Sequence, residues 1–232
     1  MIVNVRPSDA PRVSVLMTIY NAAPFLRESI DSLIVQSFSD WELIAVENGS
    51  TDESPSILTE YMDPRLRMFP FIENIERTPA LRYAFDQARG EYIAILDADD
   101  IAHPNRIAHQ VEFLNQNAGV ALLGSWTKQI NEHGEAIIER KQPTNQNELR
   151  ELLGWTNPIV HSSTMYRREL AQQVGGYSNR LIYAQDYGLL LALARHYKVA
   201  VLDEFLCYQR VLSTQMSSSR QYQRTIAEEQ IY

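Results

Sequence analysis

Short apolar runs alternate with amphipathic segments through the first half of the chain. The runs are rich in β-branched residues, as in strands that are covered on both faces, and the segments between them have helical spacing. The predicted strands lie at 13–20, 43–46, 66–71, 92–96 and 120–123. Because parallel strands require crossover connections, this alternation predicts an α/β fold with a mainly parallel sheet flanked by helices.

The predicted helices of this half have recognisable starts. Asn21 can cap the first helix, and the S-x-x-E spacing at 50–53 is that of a capping box, which opens a second helix through about Met62. A third helix is predicted at 79–89, and Pro104 is well placed near the start of a fourth.

The alternation ends after Gly124. A turn at 131–134 predicts a β-hairpin, and further helices are predicted at 145–153, 168–174 and 187–196, with short strands at 163–166 and 199–202. The second half therefore adds a small antiparallel region to the parallel sheet. Residues 217–232 are predicted to form a polar tail.

Composition excludes several classes of protein. The 232 residues are 45% hydrophobic, enough for a full core, and the net charge of −8 repels nucleic acid. A single cysteine, Cys207, rules out an internal disulfide and a cysteine-based zinc cluster. With no apolar run long enough to span a membrane, we expect a cytoplasmic protein and leave open peripheral attachment at the inner face of the membrane or to a partner protein.

Polar clusters follow three of the predicted strands, at 18–21, 47–52 and 97–100. Ligands of open parallel sheets collect beyond the carboxyl ends of the strands, so the three clusters are predicted to line one crevice. Tyr20 can stack there on a base, while Glu47 or Asn48 can accept the N–H of that base. The alternatives are an ordinary aromatic residue at a strand end and a plain turn followed by a helix cap.

The cluster at 97–100 contains three carboxylates within four residues. Their mutual repulsion raises the pKa of at least one of them unless a cation is present. Mg²⁺ or Mn²⁺ resolves this conflict, because such ions bind one or two carboxylates together with phosphate oxygens. The alternative is a solvated acidic turn next to the following helix, and a D-x-D sequence taken alone favours that alternative.

Several longer motifs occur in a characteristic order. They are VSVLMTIYN at 13–21, SFSDWEL at 37–43, NGSTD at 48–52, GEYIAILDADD at 90–100, Pro104 and Arg106, GGY at 175–177 and QD at 185–186. In these motifs the chain resembles the inverting glycosyltransferases of family two, which have the GT-A fold. The resemblance covers most of the chain and implies an α/β nucleotide-sugar-binding fold.

The resemblance also assigns roles to residues. It implies that Thr18, Tyr20 and Asn48 contact the base, that Asp97 lies near the ribose or the donor sugar, and that Asp99 binds Mn²⁺ or Mg²⁺. It makes Asp186 the candidate general base that takes the proton of the acceptor hydroxyl. For Asp186, the alternative is a carboxylate at a helix N-terminus that is favoured by the helix dipole.

Further candidates stand in the same segments. Asn21 and Glu47 lie in the loops that are predicted to bind the nucleotide sugar, and Arg77, before the third helix, is a candidate partner of the diphosphate. His161 is a candidate for the acceptor cleft. An exposed Arg77 and a structural His161 are the respective alternatives.

The sequence also departs from the family pattern. The family has two Asp residues at the positions of Glu47 and Asn48, so a uridine donor is favoured without being fixed. Gln185 replaces an acidic residue, and Leu212 replaces a His that reaches the diphosphate or metal in many members. In the third helix, Arg82 and Ala84 replace the usual Asn and Gly.

From these features we predict one domain over 1–232, in which 12–124 binds the nucleotide sugar and 125–216 forms the acceptor side. The predicted function is metal-dependent transfer of a sugar, UDP-linked in the favoured case, to a saccharide or lipid-linked acceptor in polysaccharide biosynthesis. One alternative is a binding module that has lost turnover, because of Gln185 and Leu212. The other is a sugar nucleotidyltransferase, although the loop at 21–25 lacks the Gly-rich basic sequence of that class.

Overall fold

The structure, a computed structural model, describes residues 10–178, 180–181 and 184–212. The predicted tail at 217–232 lies outside the described residues, as do the last four residues of the predicted acceptor side. In the described part, no helix combines the length and the apolar character needed to cross a membrane.

The described residues form nine strands, seven α-helices and one 3₁₀ turn. The strands are β1 (Val13–Ile19), β2 (Trp41–Asn48), β3 (Leu66–Phe71), β4 (Tyr92–Ile95), β5 (Ile101–Ala102), β6 (Val120–Ile130), β7 (Ala136–Arg140), β8 (Met165–Arg167) and β9 (Lys198–Arg210). The helices are α1 (Ala23–Ile34), α2 (Ser54–Thr59), α3 (Arg77–Gln87), α4 (Arg106–Gln116), α5 (Gln146–Leu153), α6 (Arg168–Gln173) and α7 (Gln185–Ala194), and the 3₁₀ turn is His161–Ser163.

All nine strands belong to one mixed sheet with the order β3-β2-β1-β4-β8-β6-β9-β5, and β7 pairs with β6 outside this path. The strands β3, β2, β1 and β4 are parallel, as the alternation of the first half predicts. Beyond β4 the sheet changes character, because β8 is antiparallel to both β4 and β6, while β6 and β9 are parallel to each other. The hairpin predicted around 131–134 is present as β6 and β7.

Apolar side chains cover both faces of this sheet. Along β1, Val13, Val15 and Met17 pack on the side of α1 and α4, whereas Leu16 packs on the side of α3 and α7. The alternation of side chains along a strand produces these two layers. A strand that is buried on both faces reads as a continuous apolar run, which is why β1, β2 and β4 are evident in the sequence.

Two predicted helix starts are wrong. The helix α2 begins at Ser54, whose backbone N–H donates to the carboxylate of Asp52 at 2.9 Å, so the capping box predicted at 50–53 does not form. Asn21 does not cap α1, whose cap position is Ala22. Instead, Asn21 adopts a positive φ of 51°, and its side chain accepts a hydrogen bond from the backbone of Thr51 at 2.8 Å. At the start of α1, contacts between the two loops therefore replace local capping.

The strand β9 is longer than predicted, and the short strand β5 was not predicted. The strand β9 covers 13 residues instead of the four predicted, and β5 pairs with its second half. The β9 register to β6 shifts between Ser125 and Trp126 and again between Trp126 and Thr127. Such irregularities remove the period of two that makes a strand visible in a sequence.

A buried ionic network closes the opposite edge of the sheet, at the start of the parallel strands. Glu42 is 2% exposed and accepts hydrogen bonds from Ser14 Oγ at 2.7 Å, from Arg89 Nη2 at 2.6 Å and from Arg67 Nη1 at 3.0 Å. Burial by itself raises the pKa of Glu42, but the hydrogen bonds from Arg89, Ser14 and Arg67 outweigh it, and the pKa is lowered. The charged form of Glu42 thus ties β1, β2 and β3 together.

We expect Glu42→Gln to destabilise the protein in a pH-dependent way. Because the pKa of Glu42 is lower in the folded than in the unfolded state, its stabilisation is complete above the unfolded pKa and is lost as the pH falls through the folded pKa. Urea unfolding at pH 7 should show a loss of about 1–3 kcal/mol, and the loss should shrink below pH of about 4.

Glu60→Gln is the control, because the ion pair of Glu60 with Arg27 is exposed and should have no measurable effect. An equal loss for Glu42→Gln at both pH values would contradict the proposed role of its charge.

Candidate active site

The loops after β1 and β2 interlock at the carboxyl edge of the sheet. The backbone N–H of Asn21 donates to Ser50 Oγ at 3.0 Å, and the Asn21 side chain accepts from the backbone of Thr51. Glu47, 4% exposed, accepts from the backbone N–H of Ser50 at 2.7 Å. Asn21 and Glu47 thus hold these loops in position.

Tyr20 and Thr18 stand at the end of β1, on this edge. Tyr20 is 49% exposed, which is the accessibility that stacking on a planar base requires. Thr18 is half-buried and lies opposite Val46 in the parallel register of β1 and β2. The structure therefore places both residues at the carboxyl edge of the sheet, where the sequence predicts a nucleotide-binding crevice.

Asn48 is engaged by the loop before α3. It is 3% exposed, its Nδ2 donates to Asn74 Oδ1 at 3.1 Å, and its Oδ1 accepts from the backbone N–H of Ile75 at 3.0 Å. An amide oxygen has two lone pairs, so Asn48 retains acceptor capacity for one further donor. Its first role in the structure is to shape the loop that leads to Arg77.

The carboxylates at 97–100 occupy the turn between β4 and β5, and they have different partners. Asp97 forms an ion pair with Arg77, whose Nη2 lies 2.6 Å from Oδ1 of Asp97. Asp100 is 3% exposed and accepts from the backbone N–H of Arg210 at 2.8 Å. Asp99 makes no ion pair within the part of the chain that the structure describes.

The pKa values of the three carboxyl groups reflect their different partners. Burial raises the pKa of Asp97, but Arg77 and His161 outweigh it, and the pKa is lowered. Burial and the charge of Asp97 raise the pKa of Asp99, and burial together with Asp99 and Asp97 raises the pKa of Asp100 well above its usual value. The turn therefore carries more negative charge than the neighbouring positive side chains neutralise.

Arg210 fastens this turn to distant parts of the chain. Its side chain is fully buried, with Nε donating to the backbone oxygen of Asp99 at 3.0 Å and Nη1 to that of Asn131 at 2.8 Å. Nη2 pairs with Glu28 on α1 at 2.5 Å, and the guanidinium lies 4.5 Å from the ring centre of Phe25. One residue at the end of β9 thus joins the turn, the β6–β7 hairpin and α1.

A second buried arginine lies behind the turn. Arg106 is 1% exposed and donates through Nη2 to the backbone oxygens of Ile95 at 2.9 Å and Thr164 at 3.0 Å. Burial lowers its pKa, while the nearby Asp100 and Asp97 oppose this effect. Its charge balances part of the acidic cluster through space. The sequence motif includes Arg106, but only the structure identifies its supporting role.

Asp186 lies in the first turn of α7 and lines a small pocket. Its Oδ2 accepts from Asn157 Nδ2 at 2.7 Å, while its Oδ1 is buried and has no hydrogen-bond partner in the described part of the chain. His161 and Tyr177 line the same pocket. Oδ1 of Asp186 is thus the atom available to a ligand, and Asn157, which sequence reasoning did not single out as a site residue, orients it.

Arg77 connects the two groups of acidic residues. Its pKa is raised, most strongly by Asp97, against the effect of burial, and further by Asp186 and Asp99. Asp97, Asp99 and Asp186 thus all lie near enough to Arg77 to act on its charge. Gln185 is 3% exposed, and its buried Oε1 has no hydrogen-bond partner in the described part of the chain. Leu212 follows the end of β9.

The donor atoms of this site fit a hard divalent cation. In residues 10–178, 180–181 and 184–212, no group of three His, Cys, Asp or Glu residues is arranged to hold a metal ion. A complete protein cage is therefore not formed by the described chain. Mg²⁺ does not require such a cage, since it is usually bound by one or two carboxylates together with phosphates and water. Asp99, whose raised pKa a cation would lower, suits that chemistry.

We expect Arg210→Met to destabilise the fold by about 3–5 kcal/mol, because it leaves the carboxylate of Glu28 and the backbone oxygens of Asp99 and Asn131 without the donors of the buried guanidinium. Arg27→Met is a matched control, since Arg27 also belongs to an Arg–Glu pair on α1 but is exposed. Urea unfolding measures both variants. Similar midpoints for the two would show that Arg210 does not anchor the turn.

Comparison with known proteins relates this geometry to a family. The model described as Glycosyl transferase family 2 matches residues 14–175. An uncharacterized glycosyltransferase of Methanocaldococcus jannaschii is 34% identical over 209 residues, which are 88% of this chain and 72% of that protein. The O-antigen biosynthesis glycosyltransferase WbnJ of Escherichia coli is 31% identical over 184 residues, which are 78% of this chain and 71% of that protein.

Solved structures share the fold. The S. aureus TarS 1–349 complex with UDP-GlcNAc has a TM-score of 0.75 at 21% identity, covering 94% of this chain and 66% of that one. The mannosyltransferase PcManGT from Pyrobaculum calidifontis, in complex with GDP-Man and Mn²⁺, has a TM-score of 0.73 at 22% identity, covering 97% and 65%. The chain thus spans about two thirds of these structures, and the α/β architecture predicted from the motifs is confirmed.

Proposed function

The chain belongs to glycosyl transferase family 2, and we propose that it transfers one sugar from a nucleotide diphosphate sugar to a hydroxyl of a saccharide or lipid-linked acceptor, with inversion at the anomeric carbon. The observation that carries this proposal is the position of Arg77 among Asp97, Asp99 and Asp186. Donor-side carboxylates, a cation suited to a diphosphate and a candidate base are thereby brought into one site.

The loops at the carboxyl edge of the sheet are the proposed nucleoside site. Tyr20 stacks on the base, and Asn48 accepts a base N–H with the lone pair that Ile75 leaves free. Thr18, Asn21 and Glu47 complete or support this site. We propose a uridine nucleotide, which one structural neighbour carries as UDP-GlcNAc, while another carries GDP-Man.

Asp99 is the proposed ligand for Mn²⁺ or Mg²⁺, with phosphate oxygens and water as the remaining ligands. When bound, such an ion stabilises the negative charge that grows on the diphosphate as it leaves. Arg77 adds a fixed positive charge and Asp97 orients it through their ion pair of 2.6 Å. Leu212 offers no ligand atom, so this chain relies on fewer protein ligands than family members that have a His there.

Asp186 is the proposed general base. Asn157 donates to Oδ2, so Oδ1 remains to accept the proton of the acceptor hydroxyl as that oxygen attacks the anomeric carbon. Asn157 is itself held in this orientation, because its own Oδ1 accepts from the backbone N–H of Ile159 at 3.1 Å. The amide group of Asn157 therefore presents its N–H to the carboxylate.

The proposed roles divide the chain into a donor part and an acceptor part. We propose that 12–124 binds the donor and that 125–216 shapes the acceptor side, with polysaccharide assembly as the process. The O-antigen enzyme among the relatives supports that process. A lipid-linked acceptor requires access to a membrane, and we propose peripheral or partner-mediated attachment for that case.

We expect Asp99→Asn to weaken the Mn²⁺-dependent binding of UDP or GDP by at least about tenfold, because the substitution removes the proposed charged ligand. Calorimetry with each nucleotide, with and without Mn²⁺, measures this effect. Asp203→Asn is the control, since Asp203 is exposed on β9 and outside the site. If Asp99→Asn binds like wild type, the metal assignment is wrong.

We expect Asp186→Asn to lower kcat by about 10²–10⁴-fold while the affinity for the nucleotide diphosphate stays within twofold, because a general base acts only in the chemical step. Sugar transfer and donor hydrolysis with UDP- and GDP-sugars measure turnover. Donor binding without any turnover in wild type would instead support the binding module, which Gln185 and Leu212 motivate.

A further inference from the structure

We propose that His161, held by Tyr177, donates a hydrogen bond from Nδ1 to a sugar hydroxyl that lies beside Asp186 in the pocket. The inference rests on the proposed function, and it adds a residue that positions the substrate through a defined proton arrangement. His161 stands in the 3₁₀ turn before β8, whereas Asp186 stands on α7, so the pocket lies between two elements that are distant in sequence.

The observation that carries the proposal is a chain of three polar side chains. Tyr166 OH lies 2.9 Å from Tyr177 OH, and Tyr177 OH lies 3.2 Å from Nε2 of His161. Both tyrosines are 1% exposed. At the end of the chain, Nδ1 of His161 is buried and has no partner among the described residues.

Counting protons fixes the direction of the hydrogen bonds that link these three side chains. If Tyr166 donates to Tyr177 and Tyr177 donates to Nε2, every hydroxyl proton has an acceptor. In the reverse direction, Nε2–H donates to Tyr177 and Tyr177 to Tyr166, which leaves the Tyr166 proton buried without an acceptor among the described residues. The first direction leaves one group without a partner among the described residues, the N–H at Nδ1, whereas the reverse direction leaves two, the Tyr166 hydroxyl proton and the lone pair of Nδ1. A buried polar group without a partner costs about 1–3 kcal/mol, so the first direction is favoured.

The first direction determines what His161 offers to the pocket. Burial lowers its pKa, outweighing Asp97 and Asp186, which raise it, so the imidazole is neutral and carries one proton. Because Nε2 accepts from Tyr177, that proton is on Nδ1. His161 thus carries an N–H donor and lines the same pocket as Asp186, whose Oδ1 has no hydrogen-bond partner among the described residues.

A donor and an acceptor in one small pocket select a particular kind of ligand group. A hydroxyl can accept from Nδ1–H and donate to Asp186 at the same time. An ammonium group cannot accept from the imidazole, and a phosphate or carboxylate would meet the charge of Asp186. The ligand group is therefore a neutral hydroxyl, which either the acceptor or the sugar of the donor can supply.

The two tyrosines provide matched variants. Tyr177→Phe removes the donor to Nε2 and releases the tautomer of His161, whereas Tyr166→Phe removes an equally buried hydroxyl but leaves Tyr177 able to donate to Nε2. We expect Tyr177→Phe to weaken hydroxyl recognition about three- to tenfold, the value of one hydrogen bond, and Tyr166→Phe to stay within about twofold of wild type.

Kinetics and calorimetry measure recognition and identify its source. A raised KM for the acceptor places the hydroxyl on the acceptor, and weaker binding of the NDP-sugar with unchanged NDP binding places it on the donor sugar. Either result supports the proposal. If wild type transfers sugar and the two variants do not differ, the inference fails while the proposed function stands. Absence of transfer by wild type with every donor would count against the proposed function instead.

Nitrogen NMR of the His161 ring tests the proton arrangement without any assay of turnover. Wild type and Tyr166→Phe should show the neutral tautomer protonated at Nδ1, and Tyr177→Phe should show a mixture. Protonation at Nε2 in wild type would overturn the proposal. This readout on wild type decides the question even if Tyr177→Phe does not fold.

Discussion

Repulsion among the three carboxylates at the end of β4 is the constraint on which the rest of the site depends. A tight turn holds Asp97, Asp99 and Asp100 close together, and burial makes their charges more costly. Buried arginines from other segments make the arrangement stable. Arg210 binds the turn through its backbone and side chain, and Arg106 stands behind it. The turn thereby gains a fixed shape that its own sequence does not supply.

Positive charges compensate the carboxylates of the turn unequally. Asp97 has Arg77 as a direct partner, so its pKa is lowered, whereas Asp99 lacks an ion pair among the described residues and its pKa is raised. This unequal compensation supports the proposal of a cation at Asp99 that attracts a diphosphate, although the net charge of the chain is −8. Local charge placement thus determines binding where the overall charge opposes it.

The single sheet explains how donor and acceptor groups meet. The parallel strands β1, β2 and β4 bring the loops of the proposed nucleotide site to one edge, and β8 and β6 extend the sheet beyond β4. His161 stands in the 3₁₀ turn before β8. Asn157, in the segment that precedes this turn, donates a hydrogen bond to Asp186. Because Arg77 is influenced by both Asp97 and Asp186, the two halves of the site are electrostatically coupled.

Much of this arrangement follows from the sequence itself. Continuous apolar runs identify β1, β2 and β4, and the rule that ligands collect at the carboxyl ends of parallel strands places Tyr20, Asn48 and Asp99 together. The order of motifs indicates the family, although Asp186 taken alone reads equally as an ordinary carboxylate at a helix start.

Only the tertiary structure decided the partners of these residues. Asn21 bridges two loops instead of capping α1, β9 extends through irregular pairing, and Arg210 reaches Glu28 across 182 positions of the chain. The physical reason is that hydrogen bonds and charge compensation depend on distances in space. A sequence records which groups are present, but the packing of distant segments determines which of them are satisfied and which remain for a ligand.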